Sequence, residues 1–190
     1  MISQNTFPDL EKVPISEAEV MTGDVLLCSG ESTFSRLIQR ATGSIWSHVA
    51  VTGLCCDVPL ILESVESKGA RTQHLANYAA DPYDGRILLA RHSDAETLGR
   101  HEFMAKGFEM MGSPYDKSEI LSIAYRIMKG EGRGNEIRRD REYICSEFAW
   151  ECLAAGGILI PYNERGFIAP SDFAQCSKLR PVVELVTMQA

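Results

Sequence analysis

No run of eighteen apolar residues occurs anywhere in the chain, so no segment has the length of a transmembrane helix. The first dozen residues carry Pro8, Asp9 and Glu11 and lack the positive stretch and apolar core of a secretory leader. A soluble, cytoplasmic protein is therefore expected. Basic charge is also in short supply: 19 Lys and Arg face 26 Asp and Glu, for a formal net charge of −7 and a pI near 5.1. Phosphate backbones need a clustered basic surface, so this balance argues against nucleic acid as a partner.

The six cysteines include no C-x-x-C, and Cys55 and Cys56 are adjacent, a poor pattern for a disulfide framework. All six are read as reduced thiols. Without paired C-x-x-C or H-x-x-x-H spacing a dedicated metal site is not expected, and nothing calls for a cofactor. Neither Ser44 nor Ser146 lies in a G-x-S-x-G elbow, which argues against a serine hydrolase. No internal repeat, low-complexity tract or linker divides the chain. Its 190 residues at 45% hydrophobic content suffice for one ordinary core. A polar, irregular leader over 1–21 and one domain over 22–190 are predicted; the oligomeric state is not legible.

What is present reads as strands and helices in clusters. A short apolar run from Val25 to Cys28 predicts a first strand, and a helix follows, capped by Ser32 or Thr33, striped by Phe34, Leu37, Ile38 and Ala41, and ended by Gly43. Extended segments are predicted over 47–52, 60–65 and 86–90, with a turn-length connection from Gly53 to Pro59 that permits an antiparallel hairpin. Helices are expected over 96–111 and 118–129, separated by Gly112-Ser113-Pro114-Tyr115-Asp116. A helix start capped by Ser171 and a last strand over 182–186 complete the order. Strands that cluster instead of alternating with helices favour an α+β fold over a doubly wound parallel sheet.

The chemistry concentrates on Cys145. Apolar residues recur at three- and four-residue steps from Cys145 through Phe148, Ala149, Cys152 and Leu153 until Gly156-Gly157, which places Cys145 at a helix N-terminus. Unpaired N–H groups and the helix dipole favour a thiolate there. Most free cysteines are small buried hydrophobes, and Cys152, inside the helix, fits that description. His48 opens the run His48-Val49-Ala50-Val51, and an imidazole close to Cys145 would complete an activated nucleophile. The hairpin would bring Glu63 onto the strand beside His48, where a carboxylate can fix the imidazole's tautomer and orientation. A solvated strand glutamate is the bland alternative. His74, His92 and His101 are read as surface residues.

Between Gly130 and Arg141, glycines alternate with charges, and Arg138 and Arg139 stand just before the Cys145 segment. Such a loop is a candidate lid or a site for an anionic head group. With Glu131, Glu136, Asp140 and Glu142 offsetting the arginines, a merely solvated loop fits equally well.

The succession Gly23-Asp24-Val25-Leu26, Gly43-Ser44-Ile45-Trp46-Ser47-His48-Val49, Leu62-Glu63-Ser64, Gly112-Ser113-Pro114-Tyr115-Asp116, Tyr143-Ile144-Cys145-Ser146-Glu147 and Ala169-Pro170-Ser171-Asp172 resembles a known group. It is similar to the circularly permuted NlpC-type branch of papain-like cysteine hydrolases, the YiiX-like and YaeF-like proteins. The order is the telling element, because the histidine strand comes first and the cysteine helix last. The resemblance implies a small antiparallel sheet or partial barrel packed on helices, with Cys145 as nucleophile, His48 as base and Glu63 as orienting group. Lecithin:retinol acyltransferase-like proteins, to which the branch is similar, commonly carry a second histidine where Glu63 stands. One scaffold of this kind serves hydrolysis of peptides, lipid amides or esters and also acyl transfer, so a peptide or acyl-lipid substrate is expected. A non-catalytic module that holds a lipid or peptide in the cleft is the reading from a different class.

Overall fold

The computed structural model describes residues 1–76, 78, 85–116, 143–161 and 167–186. Its centre is an open seven-stranded sheet: β1 (Lys12–Pro14), β2 (Val25–Gly30), β3 (His48–Cys55), β4 (Val58–Val65), β5 (Gly69–His74), β6 (Gly85–His92) and β7 (Leu179–Val186). The spatial order is β1-β7-β6-β2-β3-β4-β5, and only the β1–β7 pairing is parallel. Among the described residues four helices accompany it: α1 (Thr33–Thr42), α2 (Arg100–Glu109), α3 (Cys145–Ala155) and α4 (Pro170–Gln175). This is the expected α+β architecture, and no helix among the described residues is long and apolar enough to cross a membrane.

Local chemistry accounts for most boundaries. Ser32 caps α1 by accepting the Ser35 N–H at 3.1 Å, and Gly43 ends it in the left-handed region at φ 64°. The β3–β4 hairpin is tighter than Gly53 and Pro59 suggested. Both residues lie inside strands, and the turn is Cys56-Asp57, each at positive φ as a two-residue hairpin connection demands. The helix expected over 96–111 is broken at Leu98-Gly99 into a 3-10 turn (Ala95–Thr97) and α2. Pro181 is tolerated within β7 because β1 pairs only with residues 184–186, so no ladder hydrogen bond is asked of it on that side.

Three expectations need correction. The segment read as an irregular leader contributes β1, buries Ile2 and Ile15, and ties Ile2 N to Ala174 O at 3.0 Å. Helix α4 is not capped by Ser171; Ala169 is the cap, Pro170 occupies the first turn, and Asp172 accepts the Ala169 N–H at 2.8 Å. Strand β5 was not expected, since its sequence Gly-Ala-Arg-Thr-Gln-His carries almost no apolar signal. The expected helix over 118–129 and the arginine-bearing loop lie outside the described residues.

The sheet has two buried faces. Val25, Leu27, Val49, Val51, Leu62 and Leu88 pack with Phe103, Phe148, Cys152 and Leu153 from α2 and α3. Leu26, Ala50, Ile61 and Leu89 meet Ile15, Leu75, Tyr78 and Leu185 in a second cluster. Strand periodicity thus sends alternate residues of β3 and β4 into different cores. Helix α3 is held against β3 and β4 by Phe148, which is fully buried. Phe148→Ala should cost about 3–5 kcal/mol of stability. A fall in the urea midpoint with an unchanged slope is the expected reading.

Candidate active site

Helix α3 begins at Cys145. Its amino end is built by backbone and buried polar contacts: Glu147 accepts the Ile144 N–H at 3.4 Å, and Ser146 Oγ donates to Ile168 O at 2.8 Å. The approach to the helix is fastened too. Ser64 Oγ donates to Tyr143 O at 2.7 Å, and Tyr143 N to Pro114 O at 3.1 Å. Cys145 is left 2% exposed, with its sulfur accepting the backbone N–H groups of Val49 and Ser146.

His48 is the first residue of β3, and its side chain hydrogen-bonds the Cys145 sulfur. On the other side of the ring, Nε2 lies 3.0 Å from Glu63 Oε2, which leaves Nδ1 for the thiol. The hairpin register explains the pair. Val51 faces Leu62, so one step further Ala50 faces Glu63, and His48, two residues along, shares that face as a diagonal neighbour. The structure therefore brings Cys145, His48 and Glu63 together.

Glu63 is 0% exposed, and both its oxygens are occupied. Arg71 donates to Oε1 through Nε at 2.9 Å and Nη2 at 2.7 Å, and Gln73 Nε2 adds a third bond at 3.1 Å. Tyr78 Oη joins His48 on Oε2 at 3.0 Å. Arg71, Gln73 and Tyr78 were missed from sequence, because the first two lie on the unexpected strand β5 and Tyr78 follows it. No motif marks them; the one available signal was that a buried glutamate demands a cation nearby.

The electrostatics follow from this arrangement. Burial alone would push the Cys145 thiol up, but the His48 charge and hydrogen bond, with the N–H groups of Val49 and Ser146, bring it below its ordinary value. Burial likewise works against a charged His48, yet the Cys145 charge and hydrogen bond, then those of Glu63, raise it to about 10. Burial of Glu63 is outweighed by His48 and then Arg71, so its carboxyl titrates below the usual range. All three shifts act in the same sense, each favouring the ionised form: thiolate, imidazolium and carboxylate. Cys28, paired across from His48, and Cys152, inside α3, are both pushed up by burial.

The other expected residues distribute differently. His74 and His101 are exposed, as read from sequence. His92 is not a surface residue: at the end of β6 it is 4% exposed, and its Nδ1 accepts the Asp94 N–H at 3.2 Å. Its position at the inward-facing end of a strand, closed over by the turn that follows, is what buries it. Arg138 and Arg139 lie outside the described residues.

No curated protein is significantly similar to this chain. A solved structure described as the metalloprotein yiiX from Escherichia coli O157:H7 shares the fold, with a TM-score of 0.65 at 18% identity over 86% of this chain and 97% of that one. Among the described residues here, no group of three or more His, Cys, Asp or Glu side chains is arranged to hold a metal ion. The five donors on Glu63 leave it no vacant oxygen to offer one. Residues 19–175 match the family of permuted papain-like amidase enzymes of the YaeF/YiiX type, C92, and with that match spanning most of its length the chain belongs to this family of cysteine hydrolases.

Proposed function

We propose that the protein cleaves an amide or ester bond in a peptide, cell-wall or lipid-type substrate through a thioester on Cys145. The observation that carries this reading is the hydrogen-bonded chain from Cys145 through His48 to Glu63, with the thiol brought below its ordinary value and the imidazole raised. Cys145 Sγ attacks the carbonyl carbon as thiolate, forming a C–S bond while the oxygen takes up negative charge. The backbone N–H of Cys145, in the first turn of α3, helps to hold that oxyanion. His48 gives its proton to the departing nitrogen or oxygen as the scissile bond breaks. It then takes a proton from water, which attacks the thioester and releases the acid, and Cys145 leaves as thiolate. Glu63 keeps the ring oriented and stabilises its charged form throughout.

The segment 130–141 adds a proposal about substrates, supported by its sequence alone. Arg138 and Arg139 stand a few residues before Cys145 and would favour a substrate with a negative group, such as a lipid head group or a peptide carboxylate. Charge reversal at both should raise KM for anionic substrates more than for neutral ones, and added salt should narrow the gap.

Cys145→Ala should cut hydrolysis of acyl amides by about 10⁴-fold or more while the circular dichroism spectrum stays native. Intact mass spectrometry of the wild type with a slowly deacylated ester should reveal one acyl group on Cys145. An active alanine variant would overturn the mechanism. The pH dependence has a definite sign. The thiolate exists above its lowered pKa and the imidazolium exists below about 10, so the working pair fills the window between them. Activity should rise through an acid limb below the free-thiol value of about 8.5 and fall only as pH approaches the upper limit. Glu63→Gln removes the anion that favours the imidazolium. It should lower turnover by roughly 10²–10⁴-fold and move the alkaline limb to lower pH.

A further inference from the structure

Five hydrogen bonds converge on the Glu63 carboxylate, and they are divided unevenly between its oxygens. Oε1 takes the two-pronged Arg71 guanidinium and Gln73, while Oε2 takes His48 and Tyr78. Arg71 stands directly opposite Glu63 in the β4–β5 register, and Gln73, opposite Ile61, shares the same face. Three donors on one oxygen stop the carboxylate from turning about its terminal bond, so Oε2 stays aimed at His48.

Charge gives Arg71 a second effect. In the working state the cluster holds a thiolate on Cys145, an imidazolium on His48, a carboxylate on Glu63 and a guanidinium on Arg71, two charges of each sign. Without Arg71 the buried set would carry one surplus negative charge, and it would shed that surplus by taking up a proton. The other described side chains that face Glu63 bring no compensating cation. Tyr78 beyond β5 and Gln73 on β5 are neutral, and Cys28 from β2 has its thiol pushed up by burial.

We propose that Arg71 is a positioning residue for the hydrolytic reaction: it locks Glu63 toward His48 and balances its charge, so that the Cys145–His48 pair stays ionised to lower pH than it would without the guanidinium. This rests on the reading of Cys145, His48 and Glu63 as the catalytic set. Arg71 acts on the reacting atoms only through Glu63 and His48. A purely structural tie between β4 and β5 would instead alter how much protein folds without altering the pH at which Cys145 ionises.

The test is the pH dependence of iodoacetamide alkylation at Cys145 in the full-length protein, read by mass spectrometry on the Cys145 peptide. Wild type, Arg71→Gln, Arg71→Lys, Glu63→Gln and the double variant Arg71→Gln/Glu63→Gln are compared. The acid limb should move up by about one pH unit in Arg71→Gln and by clearly less in Arg71→Lys, which keeps the charge but loses the fork. It should move down in Glu63→Gln, and the double variant, with neutrality restored, should lie above Glu63→Gln and close to wild type. Should Arg71→Gln fail to fold, the double variant against Glu63→Gln still decides, since neither partner's charge is then left buried alone. An Arg71→Gln limb that coincides with wild type, or a double variant that coincides with Glu63→Gln, overturns the proposal and leaves Arg71 a strand tie. A wild-type limb at the ordinary thiol value overturns the catalytic reading itself, and that failure is recognisable before any variant is made.

Discussion

A carboxylate with no exposure to water is the constraint on which the site depends. Alone in a protein core Glu63 would be neutralised by a proton, because burial of an uncompensated charge is far more costly than protonation. Here its ionised form is held by charged donors from both flanking strands, His48 on β3 and Arg71 on β5, with Gln73 and Tyr78 filling the remaining acceptor positions. Three strands must therefore keep their register at once. A slip of one residue in β4 would turn Glu63 into the apolar cluster occupied by Leu62 and would take the carboxylate away from Arg71 and His48.

The six thiols show how much of the chemistry is environment and how much is the cysteine itself. Cys28, Cys145 and Cys152 are all buried, yet of these three burial is outweighed only at Cys145, by a cation and inward-pointing N–H groups; at Cys152 the Lys106 charge opposes it without overcoming it. Cys152 lies on the same helix two turns further on, where the backbone N–H groups are already spent on the helix, and its thiol is pushed up. Cys28 sits across from His48 but is closer in effect to Glu63, whose negative charge adds to burial in disfavouring a thiolate. Position relative to His48 and to the helix start separates the thiol that is brought below its ordinary value from the two that are pushed above it.

Sequence periodicity made part of this visible. The apolar stripe and the Gly-Gly stop located Cys145 at a helix start, and the hairpin placed His48 and Glu63 on adjacent strands, because both signals depend on spacing alone. Strand β5 escaped for a physical reason. An edge strand that contributes polar side chains to a buried carboxylate has neither an apolar run nor a clean alternation, so nothing in the pattern marks Arg71 and Gln73 as strand residues. The misplacement of His92 has a related origin, since a polar residue at a strand end can be enclosed by the turn that follows without any change in the pattern. The hairpin turn was misjudged because Gly53 and Pro59 are breakers in general, yet Gly53 lies within β3 where a Cβ would run into Met104 and Leu62, and Pro59 lies near the start of β4.

The permuted order of His48 before Cys145 is tolerated because the site is assembled by packing, and β4 is where the two halves are joined. Its alternating side chains serve both faces of the sheet. Glu63 points to the His48 side and hydrogen-bonds its ring, while Leu62 packs beneath α2 and α3, and Ser64 donates to Tyr143 O, two residues before Cys145. The carboxylate that orients the ring and the hydroxyl that anchors the approach to Cys145 are consecutive residues of one strand. Because a strand is stiff and its successive side chains diverge by a fixed geometry, the position of the ring and the position of the helix start cannot drift independently. Chain order can then be rearranged without loss of the site, provided that β4 continues to lie between β3 and β5 and beneath the amino end of α3.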